Sequence, residues 1–299
     1  MHKKNKVPQK DLFGNEIVED PILREIFIEP PFSILDSKTG NWQRRKKLWK
    51  AIGMKSEVGR GKSLTMKIPT GKYKKEDYLS EKNQALNTSI FDPALCEVLY
   101  RWFVPDGGRI LDPFCGGSVR GIVSNYLGYN YSGIDIREEQ IESNRNQALD
   151  ILEVNRQPQY YVGDSLKVLA DFPSEFDFVF SCPPYGDLEV YSDLEGDISN
   201  MKYDKFMEAY REIISLACSK LKRDRYACFV VGEIRDKKGN YRGFVPDTIR
   251  AFQDAGLNFY NEGILLNAIA SASMRAKRQF SAKQKLVKVH QNVLVFRKD

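Results

Sequence analysis

From residue 92 onward the chain alternates short apolar runs with segments of helical period, and this alternation most limits how it can fold. Asp92 and Pro93 can open a helix through LCEVLYRWF, with Leu95, Val98, Leu99 and Phe103 on one side. RILDP reads as a buried strand, VRGIVSNYLG as a helix, YNYSGIDI as a strand and EEQIESNRNQALDILEVN as a helix. YYVGD and FDFVFSCPPY are two further strands. Residues 204–222 then place Phe206, Tyr210, Ile213, Ile214, Ala217 and Leu221 at helical spacing. YACFVVGEI is a strand and FVPDTIRAFQDAG an amphipathic helix, and LNFYNEGILLN and HQNVLVFRK close the chain as strands. The pattern predicts an α/β fold with an open, mostly parallel, seven-stranded sheet flanked by helices.

The first third has a different character. The net charge of +6 is uneven: residues 1–90 hold 19 Lys or Arg against 11 Asp or Glu, and the rest is nearly balanced. This marks residues 1–84 as a basic N-terminal extension and residues 85–299 as the sheet domain. The excess concentrates around Arg44, Arg45, Lys46, Lys47 and Lys50, and a second basic tract carries Arg275, Lys277 and Arg278 without an acid. Such tracts suit a phosphate backbone, or else a solvated surface. Trp42, Trp49, Tyr73 and Tyr78 can supply stacking faces or the core of a subdomain. GRGKS at 59–63 lacks the preceding strand and full spacing of a phosphate-binding loop and reads as a basic loop.

Other classes have little material. The five cysteines form no CxxC pair and there are two histidines, so neither a zinc site nor a histidine-based triad is expected. No apolar run approaches the ~20 residues of a membrane span. The first residues, MHKKNKVPQKDLFGNE, lack the apolar stretch of a signal peptide, which predicts a cytoplasmic protein.

In an open α/β sheet, ligands bind at the carboxyl ends of the strands. The first predicted strand ends at Asp112, followed by Pro113, Phe114, Cys115, Gly116 and Gly117. The two glycines permit a tight turn and a close approach to a ligand, or serve only as a strand-to-helix turn. The second strand ends at Asp135, which can accept hydrogen bonds from a ribose diol or begin the next helix. The third runs into Asp164, which can cap a helix or reach an adenine amino group. Acids at three successive strand ends fit a nucleoside bearing a sulfonium better than a diphosphate. The fourth strand ends in Cys182, Pro183, Pro184 and Tyr185. Two prolines stiffen the loop and remove two donors, leaving carbonyl acceptors and an aromatic face for a planar base. A structural proline turn is the competing reading.

These residues resemble the S-adenosylmethionine-dependent DNA amino-methyltransferases, which modify adenine N6 or cytosine N4. Asp112 to Gly117 match the family's D-P-F-x-G cofactor motif, although Ser118 stands where a further glycine is common. Asp135 and Asp164 match the acids near the cofactor ribose and adenine. Cys182, Pro183, Pro184 and Tyr185 match the catalytic D/N/S-P-P-Y/F/W motif, with cysteine replacing the usual first residue. The resemblance covers about residues 85–299. It implies a Rossmann-like methyltransferase fold, S-adenosylmethionine as cofactor, and methylation of an exocyclic amino group on a flipped base without metal. Double-stranded DNA is the implied partner, in a bacterial or bacteriophage setting and with no membrane role, held by residues 33–80 and by a loop at 267–289. Target base, recognition sequence, oligomeric state and a partner restriction nuclease stay open. Rival readings are an RNA amino-methyltransferase, an inactive methyltransferase fold that binds nucleic acid, and carbon-5 methylation through Cys182.

Overall fold

The computed structural model describes residues 21–54, 91–173, 175–186, 192, 194, 196–267 and 272–299. Two units, 1–32 and 33–299, divide the chain. Among the described residues the first contains a short helix, α1 (Pro21–Phe27).

The second unit begins with β1 (Ile34–Asp36), α2 (Gly40–Ala51) and α3 (Pro93–Phe103). The alternating core follows as β2 (Arg109–Asp112), α4 (Val119–Tyr126), β3 (Asn130–Asp135), α5 (Glu138–Ile151), β4 (Gln159–Val162) and α6 (Ser165–Val168). It continues as β5 (Phe176–Ser181), α7 (Tyr203–Ser219), β6 (Leu221–Val231) and α8 (Phe244–Asp254). The last elements are β7 (Asn258–Leu266), α9 (Ala272–Lys283) and β8 (His290–Lys298).

The strands form one sheet in the order β1-β7-β8-β6-β5-β2-β3-β4. All neighbours run parallel except β8, which lies antiparallel between β6 and β7. This is the Rossmann-like, mostly parallel sheet expected, with its seven strands present and an eighth, β1, added at the edge. Every residue of β5 is buried, as a central strand covered on both faces requires. On one face, Phe206, Tyr210 and Phe244 pack with Phe229, and Phe252 stacks on Phe296 at 4.0 Å between ring centroids. On the other, Tyr100 of α3 meets Phe178 and Phe180 of β5 edge to face.

The expected division at 84/85 falls outside the described residues, whereas residues 33–54 fall within them. They belong to the sheet-bearing unit, because β1 pairs with β7 and α2 docks on α3. Thr39 caps α2 by accepting from the Trp42 N–H, and the helix turns Trp42 and Trp49 inward to 1% and 6% exposure. Both tryptophans are therefore core, not stacking platforms. Tyr73 and Tyr78 lie outside the described residues, as does GRGKS. Trp49 Nε1 donates to Glu97 Oε2 at 2.8 Å and Trp42 Nε1 to Asp92 Oδ2 at 3.2 Å. Arg45 pairs with Glu97, and Lys46 Nζ donates to Asp92 at 2.9 Å. These two cations are already paired with carboxylates at α3, and Lys46 also lines the cavity described below.

Glu97 is buried and serves Trp49 and Arg45 together. Glu97→Gln removes the charge from both hydrogen bonds and is expected to cost about 1.5–3 kcal/mol. A urea unfolding midpoint lowered at unchanged m-value checks this.

Candidate active site

The strand order reverses beside β2: β3 and β4 extend to one side, β5 and β6 to the other. The carboxyl ends of β2 and β5 are adjacent at this switch point, where α/β sheets open a crevice. A cavity of about 780 Å³ occupies that place. Pro113, Phe114, Gly116 and Gly117 line it from the turn after β2, and Asp135 and Asp164 from the ends of β3 and β4. Cys182, Pro183, Pro184 and Tyr185 line it from the loop after β5.

Two expected cofactor contacts are not in the wall. Asp112 and Cys115 are fully buried. Asp112 instead organises what lies around it. Its Oδ2 accepts from Arg120 Nε at 2.5 Å and Tyr131 Oη at 2.7 Å; Oδ1 accepts from Ser181 Oγ at 2.6 Å and the Phe114 N–H at 3.1 Å. Ser181 is the last residue of β5, so one carboxylate ties the glycine turn to the strand that launches the Cys182–Tyr185 loop. Burial most strongly opposes the Arg120 charge, but Asp112, through its charge and hydrogen bond, together with Tyr131 and Cys182 raises the guanidinium pKa overall. Arg120 Nη2 in turn donates to the Phe114 and Cys115 carbonyls at 2.6 and 2.9 Å. Cys115 is packed so closely that a Cβ on Gly133 would lie 2.7 Å from its own. Burial pushes the Cys115 thiol pKa well up, which leaves an inert core residue.

Gly116 takes a left-handed conformation (φ 48°) that favours glycine. Its N–H donates to Asp135 Oδ2 at 3.0 Å, and its carbonyl accepts from Asn144 Nδ2 at 2.7 Å. Asp135 Oδ1 accepts from the Arg137 N–H at 2.9 Å. Burial raises the Asp135 pKa, a shift that Arg137 and the two amide donors reduce. Asp164 caps α6, accepting from the Leu166 N–H at 3.0 Å, and still lines the cavity. Ser165 Oγ donates to the Pro113 carbonyl at 2.5 Å and braces the turn from α6.

In the β5 loop, Cys182 Sγ and Tyr185 Oη stand 3.9 Å apart. Gln291 Nε2 donates to Tyr185 Oη at 2.7 Å, and the Tyr185 ring packs edge-on against Phe244 at 6.0 Å. Gln291, with Lys288 and His290, reaches the cavity because β8 runs antiparallel, which puts its amino end level with the carboxyl end of β6 (Val231 opposite Asn292). Sequence reading placed Lys288 in the 267–289 basic segment but singled out neither His290 nor Gln291 for the site; the strand's direction, set by sheet topology, signals them. Glu233 lines the cavity as well, but its carboxylate accepts from the Gly243 and Val245 N–H groups at the start of α8.

The basic candidates divide. Arg44, Lys47 and Lys50 are exposed on α2, Arg44 donating to Asn41. Arg275, Lys277 and Arg278 are exposed on α9, a helix where a loop was expected, and Arg275 also lines the cavity. Among the described residues, no helix is long and apolar enough to cross a membrane, and no group of three or more His, Cys, Asp or Glu could hold a metal ion.

No protein-family model and no curated protein matches the chain. Solved structures do resemble it. TrmN from Thermus thermophilus shares 15% identity with a TM-score of 0.47 over 70% of this chain and 49% of that one. A TehB-like SAM-dependent methyltransferase from Corynebacterium glutamicum shares 17% identity with a TM-score of 0.43, over 72% and 91%. The magnesium protoporphyrin IX methyltransferase ChlM from Synechocystis shares 15% identity with a TM-score of 0.44, over 69% and 79%. The chain spans about half the length of the first. At these identities and TM-scores the likeness says nothing of activity or substrate.

Proposed function

We propose that this protein transfers a methyl group from S-adenosylmethionine to an exocyclic amine of a nucleobase in double-stranded DNA. One observation carries the reading: the Pro113–Gly117 turn, Asp135 and the Cys182–Tyr185 loop, remote in sequence, line a single cavity.

The residues present fit the cofactor. A Cβ at Gly116 or Gly117 would meet nothing within 4 Å, so the turn leaves open space beside its backbone. Each Asp135 oxygen accepts one backbone N–H and keeps a second lone pair for a ribose hydroxyl. Asp135, Asp164 and Asp197 make this end of the cavity acidic, which suits a cationic ligand. Bound there, S-adenosylmethionine supplies an activated methyl on a sulfonium.

The chain's own task is then to hold and orient a base. Pro183 and Pro184 present no N–H, so the loop offers acceptors to an amino group. Tyr185, fixed through its hydroxyl by Gln291 and through its ring by Phe244, offers a stacking face. Catalysis on this reading rests on orientation and preset dipoles. Exposed Arg44, Lys47, Lys50, Lys277 and Arg278 are available to phosphates and would position DNA without specifying bases.

Nucleoside mass spectrometry of DNA and RNA incubated with the protein and S-adenosylmethionine tests the reading. A methylated amine in DNA supports it; modification of RNA alone moves it to the RNA alternative, and no modification of either polymer favours an inactive fold. Asp135→Ala is expected to weaken S-adenosylmethionine binding about 10- to 100-fold in calorimetry, the loss of charge-assisted hydrogen bonds. The wild-type affinity should rise with pH through a midpoint above the ordinary aspartate range. Burial raises the Asp135 pKa, and only the carboxylate form accepts from both diol hydroxyls. Cys182→Ser is expected to keep or raise amine methylation, because a hydroxyl is a stronger hydrogen-bonding partner than a thiol. Loss of transfer in Cys182→Ser, with a covalent DNA adduct trapped by the wild type, would select carbon-5 chemistry instead.

A further inference from the structure

The cavity is charged unequally on the two sides of the switch point. Asp135, Asp164 and Asp197 stand on the β3–β4 side, offset by Arg137; Lys288 stands at the β6–β8 side with Glu233 and the neutral His290, and Arg275 of α9 also lines the cavity. Lys288 is half-buried, and its Nζ lies over the end of β6, where a Cβ on Gly232 would approach it to 3.4 Å. Among the described residues it makes one long hydrogen bond, to Asn292 Oδ1 at 3.4 Å. The carboxylate whose field reaches Lys288 belongs to Glu233, and both Glu233 oxygens accept amide N–H groups of the α8 start. Among the described residues, no carboxylate stands within 4 Å of Lys288 or Arg275. A half-buried ammonium with no carboxylate in direct contact is costly, and burial lowers its pKa against the more distant Glu233 charge. Such a cation in the wall of the cavity that Tyr185 also lines is explained by an anion that arrives with the ligand.

We propose that Lys288, assisted by His290 and Arg275, forms an anion subsite that holds a phosphate of the nucleotide whose base lies against Tyr185. This rests on the reading that a flipped nucleotide enters the β6–β8 half of the cavity. It separates two basic sets: α2 and the outer face of α9 meet backbone phosphates outside the cavity, whereas Lys288 takes one inside it. The subsite gives affinity for any nucleotide and leaves choice of base to the Cys182–Tyr185 loop.

The test needs no turnover. With S-adenosylhomocysteine present, binding of deoxyadenosine and deoxycytidine monophosphates is compared by calorimetry with binding of the parent nucleosides. The full-length protein is expected to favour the monophosphates by about tenfold or more, the worth of one charge-assisted contact. Lys288→Gln should lose that margin, and Lys288→Arg, which keeps the cation, should retain it. Equal binding of nucleoside and monophosphate by the wild type overturns the subsite, as does a margin that survives in Lys288→Gln. The wild-type comparison decides even if Lys288→Gln does not fold. A margin present while DNA and RNA stay unmethylated leaves the subsite standing and removes the methylation reading. Methylation without a margin removes the subsite alone.

Discussion

Asp112→Ala is expected to lower folding stability by about 3–5 kcal/mol, the range seen when one partner of a buried ion pair is removed. The cost arises because Arg120 remains, 6% exposed at its side chain, with no carboxylate opposite its Nε. Tyr131 Oη and Ser181 Oγ lose their acceptor in the same step, inside a region where water does not replace it. Asp112→Asn keeps some acceptors and should lie between the two. Denaturant unfolding with the m-value held common measures both variants. A loss below about 1 kcal/mol for Asp112→Ala would show that the Arg120 pair does not hold the turn as described. Because Asp112 is outside the cavity wall, its effect on cofactor binding should follow the loss of the turn, not a lost contact.

Tyr185→Ala should leave the fold intact and reduce kcat/KM for methyl transfer by about 100-fold or more. Tyr185 is a half-buried residue of a loop, so its removal leaves the packing of β5 beneath it untouched. The base then loses its stacking face and the stop that sets its depth. Tyr185→Phe retains the ring but cuts the link from Gln291 and the approach to Cys182. Its loss should be smaller, about tenfold, as for one neutral hydrogen bond. Equal losses in the two variants would mean that the hydroxyl and not the ring does the positioning. Rates measured on the same DNA by mass spectrometry separate these outcomes.

Much of the fold was legible because apolar period reports burial directly. FDFVFS, buried at every position, could only be a covered strand, and the span Tyr203–Ser219 shows its core face at helical spacing. β1 was not legible: three residues carry no period, and only pairing with β7 makes them a strand. Helix α9 was hidden because its sequence, ASMRAKRQFSAK, mixes basic, small and apolar residues with no sustained apolar stripe, and most of its residues are exposed. The pairing within the N-terminal basic tract was hidden as well. Net charge does not reveal which cations already have partners, and Arg45 and Lys46 find theirs on Glu97 and Asp92, some fifty residues away in the chain.

The sequence by itself determined the parallel α/β sheet, the glycine turn with acids at successive strand ends, and the stiff Cys182–Tyr185 loop, because period, turn chemistry and proline restriction are local properties. Tertiary structure alone decided that Asp112 is a buried brace and not a wall residue, that β2 and β5 end side by side, and that antiparallel β8 delivers Lys288, His290 and Gln291 to the same cavity. Those outcomes depend on which strands are neighbours and in which direction they run. Hydrogen-bond pairing between segments far apart in the chain settles both, and no local pattern encodes it.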